Sequence, residues 1–106
     1  MIKIIFFCTV IALVTSPLMA KEEAEVMHWW TSGGESAAIK VLADAYEAEG
    51  GSWKDSAVAG GSNARSAAIN RMIGGSPTTA ALFNTSQQYH EMIAEGMLNN
   101  LDSIAI

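Results

Sequence analysis

The sequence is short of cysteine, proline, basic side chains and long apolar runs, and each shortage removes a class of protein. The single cysteine, Cys8, lies inside the apolar stretch 4–14, without the small residues before it that a lipid-modified cysteine shows, so neither a disulfide framework nor a metal-thiolate cluster organises the chain. Six basic residues against eleven acidic ones give a net charge of −5, which argues against nucleic acid and against an anionic membrane surface as partners. A membrane-spanning helix needs about 20 apolar residues, and Pro17 interrupts the apolar stretch before that length is reached. Motifs of common chemistries are missing too. There is no G-x-S-x-G for a serine nucleophile, and no G-x-G-x-x-G or Gly-Lys-Ser/Thr for a nucleotide. His28 and His90 have no metal-ligand spacing with each other or with a nearby carboxylate. No metal and no cofactor is called for.

What is present begins with an address. Met1-Ile2-Lys3 is a basic start, Ile4 to Val14 is apolar, and Ser16-Pro17-Leu18-Met19-Ala20 breaks a helix and ends on a small residue, the layout of a secretory signal peptide over residues 1–20. Cleavage after Ala20 would remove Cys8 and Lys3, leaving five basic against eleven acidic residues and a net charge of −6.

From Lys21 the hydrophobic pattern alternates between strand and helix. Val26 to Trp30 reads as a strand buried on both faces. Ser32 and Glu35 have the S-x-x-E spacing of a capping box, and Ala38, Ile39, Leu42, Ala45 and Tyr46 fall on one face of the helix that runs to Gly50-Gly51. Ser52 to Ala59 is a second strand. Gly60-Gly61-Ser62-Asn63 turns into a second helix, capped by Ser62 or Asn63, with Ala68, Ile69, Met72 and Ile73 as its stripe and Arg65 and Arg71 outside it. Thr79 to Asn84 is a third strand, and Ser86 caps a third helix with Tyr89, Met92 and Ile93 at helical spacing. This rhythm is that of an α/β fold with a parallel sheet, whose ligands gather at the carboxyl ends of the strands.

Three loops meet that condition, at Trp30 to Glu35, Gly60 to Asn63 and Asn84 to Gln87. The first is the richest. Aromatic faces stack on the apolar C–H faces of pyranose rings, and a carboxylate accepts hydrogen bonds from sugar hydroxyls, so Trp29, Trp30 and Glu35 form the beginnings of a sugar site. Two structural alternatives stand beside it. Adjacent residues of a strand point to opposite faces, so at least one indole belongs to the core unless the strand has already ended. Glu35 is placed to reach back to the N–H of Ser32, a role that leaves lone pairs for a ligand. Glycoside hydrolysis needs a second carboxylate flanking the bond, and no other strand-end loop supplies one.

Val26-Met27-His28-Trp29-Trp30-Thr31-Ser32-Gly33-Gly34-Glu35, with Gly60-Gly61-Ser62-Asn63-Ala64-Arg65 and Arg71-Met72-Ile73-Gly74-Gly75-Ser76-Pro77, resembles the extracellular sugar-binding proteins of ABC importers, in particular the glucose- and mannose-type members. The resemblance runs from Glu25 to about Ile104. It implies a periplasmic, non-enzymatic receptor that captures a monosaccharide and delivers it to ABC transporter membrane permease subunits, with Trp29, Trp30 and Glu35 touching the sugar and Asn84 and Gln87 as further contacts by position. Asn84-Thr85-Ser86-Gln87 departs from the histidine-containing forms, and Pro77-Thr78-Thr79 departs from the usual Pro-Pro-Asp. Such receptors clamp their ligand between two lobes. Residues 21–106 are expected to be part of the first lobe, a fragment of the whole receptor. The alternative is an extracellular carbohydrate-active enzyme whose remaining catalytic part lies outside this sequence.

Overall fold

The computed structural model describes residues 20–105; the expected signal peptide lies outside the described residues apart from Ala20. Strands and helices alternate as β1 Glu23–His28, α1 Gly33–Ala48, β2 Ser52–Ala57, α2 Gly61–Ile73, β3 Ala80–Ala81 and α3 Gln87–Ala94. The strands form one parallel sheet in the order β2-β1-β3. The fold is therefore the expected α/β arrangement with a parallel sheet. No helix of the described residues is long and apolar enough to cross a membrane.

Strand boundaries differ from the apolar pattern in a consistent way. β1 starts at Glu23 rather than Val26, because Glu23 and Ala24 pair with Ser52 and Trp53 of β2 and ladder hydrogen bonds do not require apolar side chains. It ends at His28 rather than Trp30, because the next N–H groups go elsewhere. Trp30 N–H donates to His28 Nδ1 (3.1 Å) and Thr31 N–H to the Trp29 carbonyl (2.9 Å), which closes a three-residue turn. The neighbours stop with it. β2 ends at Ala57, opposite His28, where Val58 N–H reaches the His28 carbonyl (2.8 Å). β3 is reduced to Ala80–Ala81 plus the bond from Leu82 N–H to the Met27 carbonyl (2.9 Å), since Phe83 and Asn84 lie past the end of their partner.

Alternation along the strands divides the sheet into two faces. Val26 and His28 of β1 share a face with Trp53 and Asp55 of β2, while Glu25 and Met27 share the other with Lys54 and Ser56. The first face takes α1, whose Tyr46 stacks edge-on against Trp53 at a centroid distance of 6.3 Å and donates its hydroxyl to the Glu22 carbonyl (3.1 Å). A Cβ at Gly51 would collide with the Tyr46 ring, so the third residue past the end of α1 has to be glycine for the tyrosine to lie there. The second face takes α2 through the buried Ala64 and Ala68 and through Arg71, which reaches Glu25.

The helices bury less than their patterns promised. α1 turns Ile39, Ala43 and Tyr46 inward, whereas Leu42 is 55% exposed and Ala38 and Ala45 also face outward, because a three-stranded sheet meets the helix along a single line. In α2 the small Ala64, absent from the expected stripe, is buried, and Ile73 is 73% exposed. Alanines are what allow α2 to approach β1 closely. Gly60 caps α2 with its backbone at φ 86°, a conformation glycine adopts freely, so the side chains of Ser62 and Asn63 are not the cap. In α3, Met92 is buried and Ile93 half exposed.

One ion cluster ties these layers together at the amino-terminal part of the sheet. Glu25, 12% exposed, accepts from Arg71 Nη1 (2.6 Å) and Nη2 (3.0 Å) in a two-pronged pair, from Ser56 Oγ (2.8 Å), and lies 3.5 Å from Lys54 Nζ. Arg71 Nε also donates to the Ser76 carbonyl (2.8 Å), and Glu25 N–H donates to Thr79 Oγ1 (3.0 Å), so the α2–β3 loop is held by the same residues. The Arg71 guanidinium, with the Ser56 hydroxyl, lowers the Glu25 carboxyl from 4.5 to about 2, against the opposing effect of burial. A carboxyl depressed on folding stabilises the fold fully above its unfolded value and ceases to do so as pH falls through its folded value. The melting temperature is therefore expected to fall between pH 4.5 and about 2. Glu25→Gln should lower it at neutral pH and flatten its slope across that window, measured by thermal unfolding at several pH values.

Candidate functional site

The carboxyl end of β1 carries the first two residues of interest immediately after the last ladder pair. With β1 finished at His28, neither indole is bound to strand alternation, and Trp29 and Trp30 are both half-buried in the turn that leads to α1. Neither indole is therefore committed to the core by the alternation of the strand.

The turn is fixed by a buried histidine. His28 is 1% exposed; its Nδ1 accepts from Trp30 N–H, so the ring proton sits on Nε2, which donates to Asp55 Oδ1 at 2.6 Å. The same carboxylate oxygen lies 3.5 Å from Trp53 Nε1. One imidazole thus connects the turn to β2 beneath it. No pattern in the sequence assigned His28 this role; its place two residues before Trp30 was the available signal.

Trp29 lies against the start of α2. The Arg65 guanidinium carbon is 5.6 Å from its ring centroid, a cation–π contact, and a Cβ added to Gly61 would stand 3.4 Å from the ring. The absence of a side chain at Gly61 is what lets the indole approach the helix. Arg65 Nη2 further donates to Ser62 Oγ (3.4 Å). Arg65 was read only as a residue outside the buried stripe, and its helical position beside the Gly60-Gly61 turn was the signal that it borders this edge.

Glu35, in the first turn of α1, is exposed and its Oε2 accepts from Ser32 N–H at 3.4 Å. The back-bond expected of a capping box is present, and Oε1 remains available. Asn84 and Gln87 lie past the end of β3, both exposed. Gln87 Nε2 donates to Glu91 Oε1 (2.8 Å) along α3, and the Asn84 carbonyl accepts from Ser86 N–H (2.9 Å). All five expected residues stand beyond strand ends of one parallel sheet. Among the described residues their side chains make no hydrogen bond or ring contact with one another. No cluster of three or more His, Cys, Asp or Glu side chains able to hold a metal ion occurs among the described residues.

No protein-family model matches the chain. Individual relatives do. A protein of Rhizobium meliloti named probable sugar-binding periplasmic protein is 38% identical over 96 residues, which cover 88% of this chain and 23% of the relative. Proteins of the same name from Brucella suis and Mesorhizobium japonicum are 38% and 37% identical over 88 and 87 residues. The chain resembles periplasmic sugar-binding proteins over most of its length. It spans about a fifth of the length of these curated relatives.

The turn and its histidine make a direct prediction. His28→Phe keeps an aromatic ring in place but leaves Trp30 N–H without its acceptor and takes from Asp55 the shorter of its two donors. Unfolding by urea should show a loss of about 1–3 kcal/mol, the cost of stranding a buried polar group, and Trp30 N–H should exchange with solvent faster than in the parent chain.

Proposed function

We propose that residues 21–106 supply part of the first, N-terminal lobe of the substrate-binding component of an ABC carbohydrate importer, exported by a signal peptide over residues 1–20. In this reading the receptor captures a glucose-type monosaccharide in the periplasm and hands it to membrane permease subunits without chemical change. The carrying observation is that β1 ends at His28, so that Trp29 and Trp30 both stand beyond the sheet at the edge where Glu35 begins α1. The pyranose ring would rest on the indoles. Glu35, through the oxygen its cap leaves over, would accept from ring hydroxyls, with Asn84 and Gln87 as amide donors from the neighbouring loop. The relatives' names support a sugar as ligand and a binding role rather than catalysis.

Isothermal titration of the full-length receptor that contains residues 21–106 with glucose, mannose and galactose tests this reading. Saturable heat with at least one of them is expected, with no release of reducing ends from an oligosaccharide. A folded full-length receptor that gives no heat with any sugar overturns it, and release of reducing ends would instead favour a carbohydrate-active enzyme. Trp29→Ala and Trp30→Ala should each weaken binding by roughly 30-fold, corresponding to about 2 kcal/mol for loss of a buried aromatic anchor.

A further inference from the structure

Arg65 is held at the ligand edge without being neutralised. Among the described residues, Lys40 pairs with Asp44, and Lys54 and Arg71 share Glu25, whereas no carboxylate forms an ion pair with Arg65. Its guanidinium is nevertheless positioned. The Trp29 face lies 5.6 Å from its carbon, Ser62 Oγ accepts from Nη2 at 3.4 Å, and Nη1 stands 3.0 Å from where a Gly61 side chain would begin. The side chain is half-buried on the first turns of α2, whose amino-terminal end adds its own positive field. In a chain with eleven acidic and six basic residues, a fixed cation with its partner missing is a choice of position rather than a matter of supply.

We propose that Arg65 is a ligand-binding residue of this edge and that its guanidinium takes the carboxylate of an acidic sugar of the uronic acid class while Trp29 and Trp30 take the ring. The inference rests on the sugar-receptor reading and narrows its ligand. A planar fork of N–H donors matches a carboxylate in two parallel hydrogen bonds, a match that a point charge such as lysine does not reproduce. The Trp29 contact supplies both parts of the recognition from one place. It orients the fork, and it sets the cation next to the surface on which a pyranose would stack.

The test is calorimetric titration of the full-length receptor that contains residues 21–106 with glucuronate and glucose, each at two salt concentrations. Glucuronate is expected to bind more tightly, with an advantage that shrinks as salt rises. Arg65→Ala should weaken glucuronate binding by about 10- to 100-fold, as loss of a charge-assisted pair does, and change glucose binding by less than about 3-fold. Arg65→Lys should fall between the two. Should the alanine variant unfold, Arg65→Gln, which keeps a stem against Trp29, reads the same ratio. Equal loss for both sugars in a folded variant assigns Arg65 to indole packing and overturns the proposal, as does a parent chain with no preference for glucuronate. Binding of glucose with an unchanged ratio leaves the receptor reading standing, whereas a folded full-length receptor that binds neither sugar removes both.

Discussion

Two hydrogen bonds on one buried imidazole decide where the sheet stops and the turn into α1 begins. His28 gives its Nε2 proton to Asp55 of β2 and takes the N–H of Trp30 on Nδ1, so the chain cannot continue the ladder past His28. The consequence spreads sideways, because β2 and β3 have no partner beyond that level and end with it. It also spreads forward. A strand prolonged through Trp30 would send the two indoles to opposite faces; a turn at that point leaves both at the edge, one of them resting on the glycine that opens α2. A polar group inside the core is thus retained for what it positions, and its full set of partners keeps the cost of burying it low.

Charged groups are engaged differently at the two ends of the strands. Toward the amino-terminal part of the sheet, Glu25 gathers Arg71, Ser56 and Lys54 into a closed cluster that joins β1, β2 and α2. Toward the carboxyl ends, charged groups are engaged only in part. Glu35 spends one oxygen on the helix start, and Arg65 has an aromatic face and a hydroxyl for neighbours rather than a carboxylate. Interactions that hold the layers are satisfied internally, while those at the loops keep capacity for something else. Helix packing follows the same economy: α1 meets the sheet through Ile39, Ala43 and Tyr46, and α2 through the small Ala64 and Ala68.

The order of elements was legible in the sequence because it depends on local signals: apolar runs, the Ser32–Glu35 spacing and the glycine pairs that end helices. Boundaries were not, since they depend on pairing. Nothing local to Glu23 announces that it lies opposite Ser52, and nothing local to Phe83 announces that its partner strand has stopped. Helix faces were half right for a related reason. Periodicity finds the apolar stripe, but the width of the sheet decides how much of it is covered, and three strands leave Leu42 and Ile73 outside. Of the candidate site, Trp29, Trp30 and Glu35 were visible as residue types at a junction. His28 and Arg65 were not, because their meaning comes from contacts made across 27 residues to Asp55 and back from α2 to Trp29.

The central claim is that His28 fixes the turn through a specific tautomer, with Nδ1 as acceptor. Nitrogen chemical shifts of the labelled imidazole at neutral pH test it most directly, read together with the exchange rate of the Trp30 amide. The account predicts an unprotonated Nδ1, a protonated Nε2 and a Trp30 N–H protected like the ladder amides of β1. A proton on Nδ1, with the Trp30 amide exchanging as fast as a free loop, would contradict it.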